Sequence, residues 1–232
     1  MNREFTQIVT GRMKRFSNEV GMFYKDHQNK CFMVRDRTKI TFGEENKLIC
    51  SVIMTNPGSF GFDKLLGWSA FELGLGIVKV FYGSGNPDPT MRNLITVIKR
   101  AFESVDMNLE GRVDIYNLSN VLCPKGELAE IYHQSVYSII QRHSLSFELL
   151  EDPCIHTDKL QLIFEQSPFV IIGFLKDRFT PSVERIIQHT NQHQGKVVVS
   201  FENGWPSHPI NWIRKKALGL QAIEQIRRLI TQ

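Results

Sequence analysis

The chain predicts an α/β fold, a three-layer α/β/α arrangement with a central, mainly parallel four-stranded sheet. Three observations carry that expectation. Short β-branched runs alternate with stretches of helical periodicity, polar or Gly/Pro-containing turns separate them, and 232 residues is a routine size for one α/β domain with extensions.

The elements follow in order. Residues 1–44 form a basic extension, predicted to hold an amphipathic helix and a short hairpin around Phe32 to Thr41. Too small to fold alone, it is expected to pack on the main sheet of a domain spanning 45–232. The first core strand is Ile49 to Met54. The Gly-rich stretch Gly74 to Pro89 reads as a mobile loop, entered through Gly83-Ser84-Gly85-Asn86-Pro87. Asp88-Pro89 then reads as a helix start, with Asp88 as N-cap and Pro89 at the first helical position, where its missing N–H costs nothing. Leu94, Val97, Ile98, Ala101 and Phe102 recur at helical spacing behind it. Val113 to Tyr116 is the second strand, followed by a helix carrying Leu128, Tyr132, Val136, Ile139 and Ile140. Phe169 to Phe174 is the third strand, Val183, Ile186 and Ile187 mark another helix, and Val197 to Phe201 is the fourth strand. A final helix is predicted over Trp212 to Leu229, with Ile223, Ile226 and Leu229 facing inward.

A hydrophobic fraction of 42% and a charged fraction of 22% exclude disorder, collagen-like repeats and coiled coil. No stretch approaches the roughly 20 apolar residues that span a bilayer, and the start, Met1-Asn2-Arg3-Glu4-Phe5, lacks a basic segment followed by an apolar one. A cytoplasmic location and no membrane partner are the expectation. Cys31, Cys50, Cys123 and Cys154 form no C-x-x-C pair and read as reduced thiols. His189 and His193 stand four apart without the Glu of an H-E-x-x-H pattern, and neither G-x-G-x-x-G nor a P-loop occurs, so no metal or nucleotide cofactor is expected. Charge is uneven: residues 1–41 hold nine Lys/Arg against four Asp/Glu, and residues 203–232 hold five against one. Basic ends around an acidic middle suit a polyanion bound on one face.

In an open parallel sheet, ligands bind outside the carboxyl ends of the strands. There the chain places Thr55-Asn56-Pro57-Gly58-Ser59-Phe60, then Asn117-Leu118-Ser119-Asn120, then Gly173-Phe174, then Asn203-Gly204-Trp205-Pro206-Ser207-His208-Pro209. Together with Asp88-Pro89-Thr90-Met91-Arg92 and Tyr116-Asn117-Leu118, these segments resemble an uncharacterised bacterial and phage family. Its ordered pattern is N-P-S or N-P-G, D-P-T-x-R, V-N-L, a strand ending in W-G, and G-x-P-x-H-P-L-Y. The likeness covers roughly residues 45–215, with Ile172 before Gly173 where the family has Trp.

More distantly, Asn56, Asn117 and His208 resemble in kind, order and strand position the motifs of the uracil-DNA glycosylase superfamily, whose mismatch-specific branch carries N-P-G. That resemblance implies a DNA glycosylase that flips out and excises a nonstandard pyrimidine, deaminated, damaged or hypermodified by phage, such as glucosylated hydroxymethylcytosine. The bacterial and phage family adds antiviral defence as a setting.

Cleaving an N-glycosidic bond needs a positioned water, a donor to the departing base and tolerance of cation character on the sugar. Asn56 is the expected water holder, His208 the donor, and Asp88 a candidate carboxylate. Asn117 has the donor and acceptor to read a pyrimidine edge, Phe60 or Phe62 would stack on the flipped base, and Gly58 would allow close backbone approach. Arg92 is placed to pair with Asp88. Arg92, Trp212, Arg214, Lys215 and Lys216 are the expected DNA contacts, the aromatic ring stacking or wedging while the cations grip phosphates. The Asp or Tyr of efficient uracil enzymes is missing near Asn56, which leaves Asp63, Asp88 and Asp114 as candidate bases. A non-catalytic binder of nucleic acid or of a modified nucleotide is the alternative.

Overall fold

The computed structural model describes residues 7–15, 33–58, 67, 69–70, 80–123, 125–142 and 157–232. At its centre is β3 (Leu48–Met54), an apolar run buried on both faces from Ile49 onward. β5 (Gly111–Asn117) lies parallel to it on one side and β6 (Val170–Ile172) on the other, with β7 (Val197–Val198) parallel beyond β6. These are the four expected core strands. The last of them is short, because Phe201–Glu202 (β8) turns away to pair antiparallel with Trp205–Pro206 (β9).

The sheet nevertheless has seven strands, not four, in the order β4-β1-β2-β5-β3-β6-β7. β2 (Met33–Phe42) pairs antiparallel with β5, β1 (Gln7–Arg15) with β2, and β4 (Val80–Gly85) with β1. Two expectations change accordingly. The Phe32 to Thr41 region is one strand, not a hairpin. Residues 7–15 add a further strand, and the helix expected in the extension falls to residues 1–6 and 16–32, which lie outside the described residues. Part of the Gly74 to Pro89 stretch is an edge strand, not a loop. In each case long-range backbone pairing overrides a local composition of charges, Ser and Gly that disfavours strand.

Helices cover both faces. α1 (Pro89–Glu103) and α5 (Lys216–Ile230) pack on Cys50, Val52, Val113, Ile115, Ile171 and Val198. α3 (Thr157–Gln166) and α4 (Thr180–Thr190) pack on Ile53, Val170 and Ile172. Successive residues such as Val52 and Ile53 fall in opposite layers, as the period of two along a strand requires. α2 (Ala129–Arg142) follows β5. Asp88 caps α1 as expected, its Oδ1 accepting from Met91 N–H at 2.9 Å with Pro89 in the first turn. α5 starts later than expected, because Pro209–Asn211 form a 3-10 turn and Lys215, at φ −104° and ψ 82°, leaves the helical path. Among the described residues no helix is long and apolar enough to cross a membrane.

Candidate functional site

After β4 and α1 the chain adds β5 on one side of β3 and later β6 on the other, so the carboxyl end of β3 is where the parallel block switches direction and a crevice opens. Backbone pairing continues past the strand ends: Leu118 N–H donates to Met54 O (2.9 Å), Ser119 N–H to Thr55 O (3.0 Å) and Gly173 N–H to Ile53 O (3.1 Å). A cleft of about 280 Å³ lies at this edge, and Asn56, Gly58, Asp88 and His208 all line it, together with Arg35.

Asn56 is buried and anchored. Its Nδ2 donates to Pro57 O (2.8 Å) and Cys123 O (3.0 Å), and Cys123 N–H donates back to Pro57 O (3.1 Å). With the amide hydrogens directed to carbonyls, Oδ1 is the acceptor this side chain can offer a ligand or water. The Cys123 loop is itself held by β2, through Arg35 N–H to Asn120 O (2.8 Å), Leu122 N–H to Met33 O (2.8 Å) and a Val34–Val121 bridge. β2 therefore sets the position of Asn56 through this loop. Gly58 packs closely on Asp88, since a Cβ there would sit 2.9 Å from Asp88 Oδ2 and would have to displace that carboxylate.

Arg35 is the residue that sequence reasoning missed. It is 1% exposed and lines the cleft. Burial lowers its pKa to about 10, partly offset by the Asp88 carboxylate, so it remains a cation at neutral pH. It stands in the charge-rich run Arg35-Asp36-Arg37, so nothing in the local pattern singled it out.

His208 is delivered by a rigid segment. Ser207 N–H donates to Ser200 O (2.7 Å), Phe174 N–H to Pro206 O (2.9 Å), and Asn93 Nδ2 of α1 to Pro209 O (3.0 Å) and Ile210 O (3.1 Å). Gly173 permits the crossing, because a Cβ there would meet Ser207 O at 2.6 Å and Pro209 Cδ at 2.8 Å. Burial depresses the His208 pKa to about 4, so the ring is neutral at pH 7. Its Nδ1 accepts from Ile210 N–H at 3.3 Å, which assigns the proton to Nε2 and makes that atom a neutral donor. Cys123 also lines the cleft, but burial raises its thiol pKa and keeps it from being a thiolate.

The other expected residues lie apart. Asn117 is 2% exposed and does not line the cleft; it sits in the sheet beside Met54, which does. Trp212 is a core residue, 1% exposed, with Nε1 donating to Ser207 O at 3.2 Å, so its ring is not presented for stacking or wedging. Arg92 is exposed on α1 and makes no ion pair with Asp88, whose cationic neighbour is Arg35. Arg214, Lys215 and Lys216 are exposed, with Lys215 paired to Glu202. Asp114 pairs with Arg112 at 3.1 Å on β5, away from the cleft lining. Phe60, Phe62 and Asp63 lie outside the described residues. His189 and His193 pack around Phe164, their rings 5.0 Å apart.

No protein-family model, curated protein or solved structure matches this chain.

Proposed function

We propose that this chain is a DNA glycosylase that takes a nonstandard base into the cleft at the end of β3 and hydrolyses its N-glycosidic bond. The observation that carries the reading is the meeting of Asn56, Asp88 and His208, from three separate segments, in one cleft at the topological switch point. The resemblance of Asn56 and His208 to uracil-DNA glycosylase motifs supports the same chemistry.

The roles follow from the groups. As the C1′–N bond breaks, its electron pair leaves with the base and the sugar becomes oxocarbenium-like. The Nε2–H of neutral His208 donates to the base as negative charge develops. A neutral donor is suited to this because it stabilises the anion without carrying a charge that would oppose the sugar cation. Asp88 places a carboxylate in the same cleft, opposite in sign to that cation. Water held by Asn56 Oδ1 bonds to C1′ and releases its proton to Asp88 or to solvent, while the base acquires a proton on release. Arg35 adds a fixed donor-rich cation to the wall. Asn117, buried in the sheet, supports the floor through Met54, and base readout falls to the side chains that line the cleft. The proposed substrates are deaminated, damaged or phage-hypermodified pyrimidines, with antiviral defence as the proposed setting.

The test is to incubate the protein with DNAs carrying uracil, mismatches, hydroxymethylcytosine or its glucosylated form, and to assay free base and alkali-labile sites. Release of one of these bases supports the reading. Release of none, with salt-dependent binding retained, would leave a non-catalytic binding module.

A further inference from the structure

A second depression, of about 260 Å³, lies against the first and shares His208 with it as a common wall. The two are nearly equal in volume. The segment after β6 runs along the divide: Leu175 lines the first cleft and the next residue, Lys176, lines the second. That segment is tied down by Leu175 N–H donating to Thr55 Oγ1 (2.8 Å) and Phe179 N–H to Glu130 Oε1 (2.5 Å). It contains two non-glycine residues at positive φ, Asp177 at 55° and Phe179 at 49°. Such conformations persist where surrounding structure over-determines them, and they concentrate at ligand sites.

The lining of the second depression includes an aromatic ring, two asparagines, two lysines and the carboxylate of Glu202. Trp205 is half-buried, its Nε1 donating to Phe174 O at 3.2 Å, which fixes an aromatic wall. Asn203 and Asn211 supply donors and acceptors; Asn203 (φ 51°) and Gly204 (φ 76°) form the tight turn between β8 and β9 that holds the first of them. Lys176 supplies positive charge, while Lys215 is paired with Glu202 in the same lining. Ser207 lines the depression and is 3% exposed, and its Oγ has no hydrogen-bond partner among the described residues. A buried hydroxyl in that state is costly unless something else satisfies it.

We infer that this depression receives the nucleotide adjoining the target, so that the protein engages two consecutive nucleotides of one strand, both turned out of the stack and divided by His208. The base stacks on Trp205, Asn203 and Asn211 meet its edge, and Lys176 faces the phosphodiester. The inference rests on the DNA reading of the first cleft and adds a preference for single-stranded or unpaired DNA.

The experiment measures the affinity of the full chain for fluorescein-labelled single-stranded DNA carrying one uracil, with the neighbouring nucleotide either intact or replaced by an abasic analogue, on each side in turn. Loss of the base on one side should weaken binding about ten-fold or more, the scale of one base–aromatic stack, and loss on the other side should not. In a Lys176→Glu, Asn211→Ala variant, whose changes fall outside the core, the intact strand should bind no more tightly than the abasic-flank strand binds wild type. Equal affinity for intact and abasic-flank strands on both sides would overturn the inference while leaving the first cleft as proposed. Displacement of the strand by free mononucleotide at matching concentration would also overturn it, by assigning the pocket to a soluble nucleotide. Failure to bind any of the strands would sink the DNA reading itself, and this inference with it.

Discussion

His208 joins site and stability in one ring. Its pKa falls from 6.5 in the unfolded chain to about 4 in the fold because burial penalises the cation. The contribution is therefore fully present above about pH 6.5 and is lost as the unfolded state takes up a proton that the folded state refuses, down to about pH 4. Over that window the linkage is worth on the order of 3 kcal/mol. His133 and His189, also lowered by burial, act in the same direction, so the useful quantity is a difference. Denaturant unfolding of wild type and His208→Gln at pH 7 and near pH 4.5 should show wild type losing about 2–3 kcal/mol more on acidification; equal losses would mean the ring is not buried neutral. At this scale Asn56 and His208 were legible because the strand-end rule depends only on where apolar runs stop, and Asp88 was legible as the cap of an Asp-Pro helix start. Arg35 was not, since a charged residue on a strand of mixed polarity looks solvated. Trp212 was misplaced for a related reason. An aromatic beside Arg214, Lys215 and Lys216 resembles a nucleic-acid contact, yet its burial depends on Gly219, where a Cβ would come 2.5 Å from Trp212 O.

Among the elements, the crossing of the β6 end by the His208 segment is the most constrained junction. Gly173→Ala would force a methyl against the Ser207 carbonyl and the Pro209 ring, neither of which is a flexible side-chain tip. The expected cost is about 1–3 kcal/mol, seen as a lower denaturation midpoint, together with loss of site function from a displaced His208. Gly195→Ala, where a Cβ meets nothing within 4 Å, is the control and should leave the site intact. If Gly173→Ala matched that control, the close approach would not be what positions His208. The parallel block was readable because strands buried on both faces are largely apolar, and β6 is wholly so while β3 is apolar except for Ser51. β1, β2 and β4 were not, because their place comes from pairing with strands far away in the chain, and β4 carries Gly83 and Gly85 in Val-Phe-Tyr-Gly-Ser-Gly.

For the whole molecule, the uneven charge is the feature that composition alone exposed. Arg214, Lys215 and Lys216 stand exposed just beyond the His208 segment, and Lys215 also lines the second depression. On duplex DNA each phosphate neutralised contributes about 0.9 to the slope of log affinity against log salt. With Lys215 engaged by Glu202, replacing all three by Gln should flatten the slope by about two units and leave base preference unchanged, since phosphate contacts position and do not specify. Unchanged slopes would remove this face from the DNA surface. The central claim, that the β3-end cleft excises a base, is tested most directly by measuring product and affinity on the same DNA for wild type and Asn56→Ala. The account predicts free base and an alkali-labile strand from wild type. For Asn56→Ala it predicts turnover lower by about 10²-fold or more, the scale of a lost transition-state contact, with affinity nearly unchanged. No free base from wild type, or a variant that turns over as fast as wild type, would contradict it.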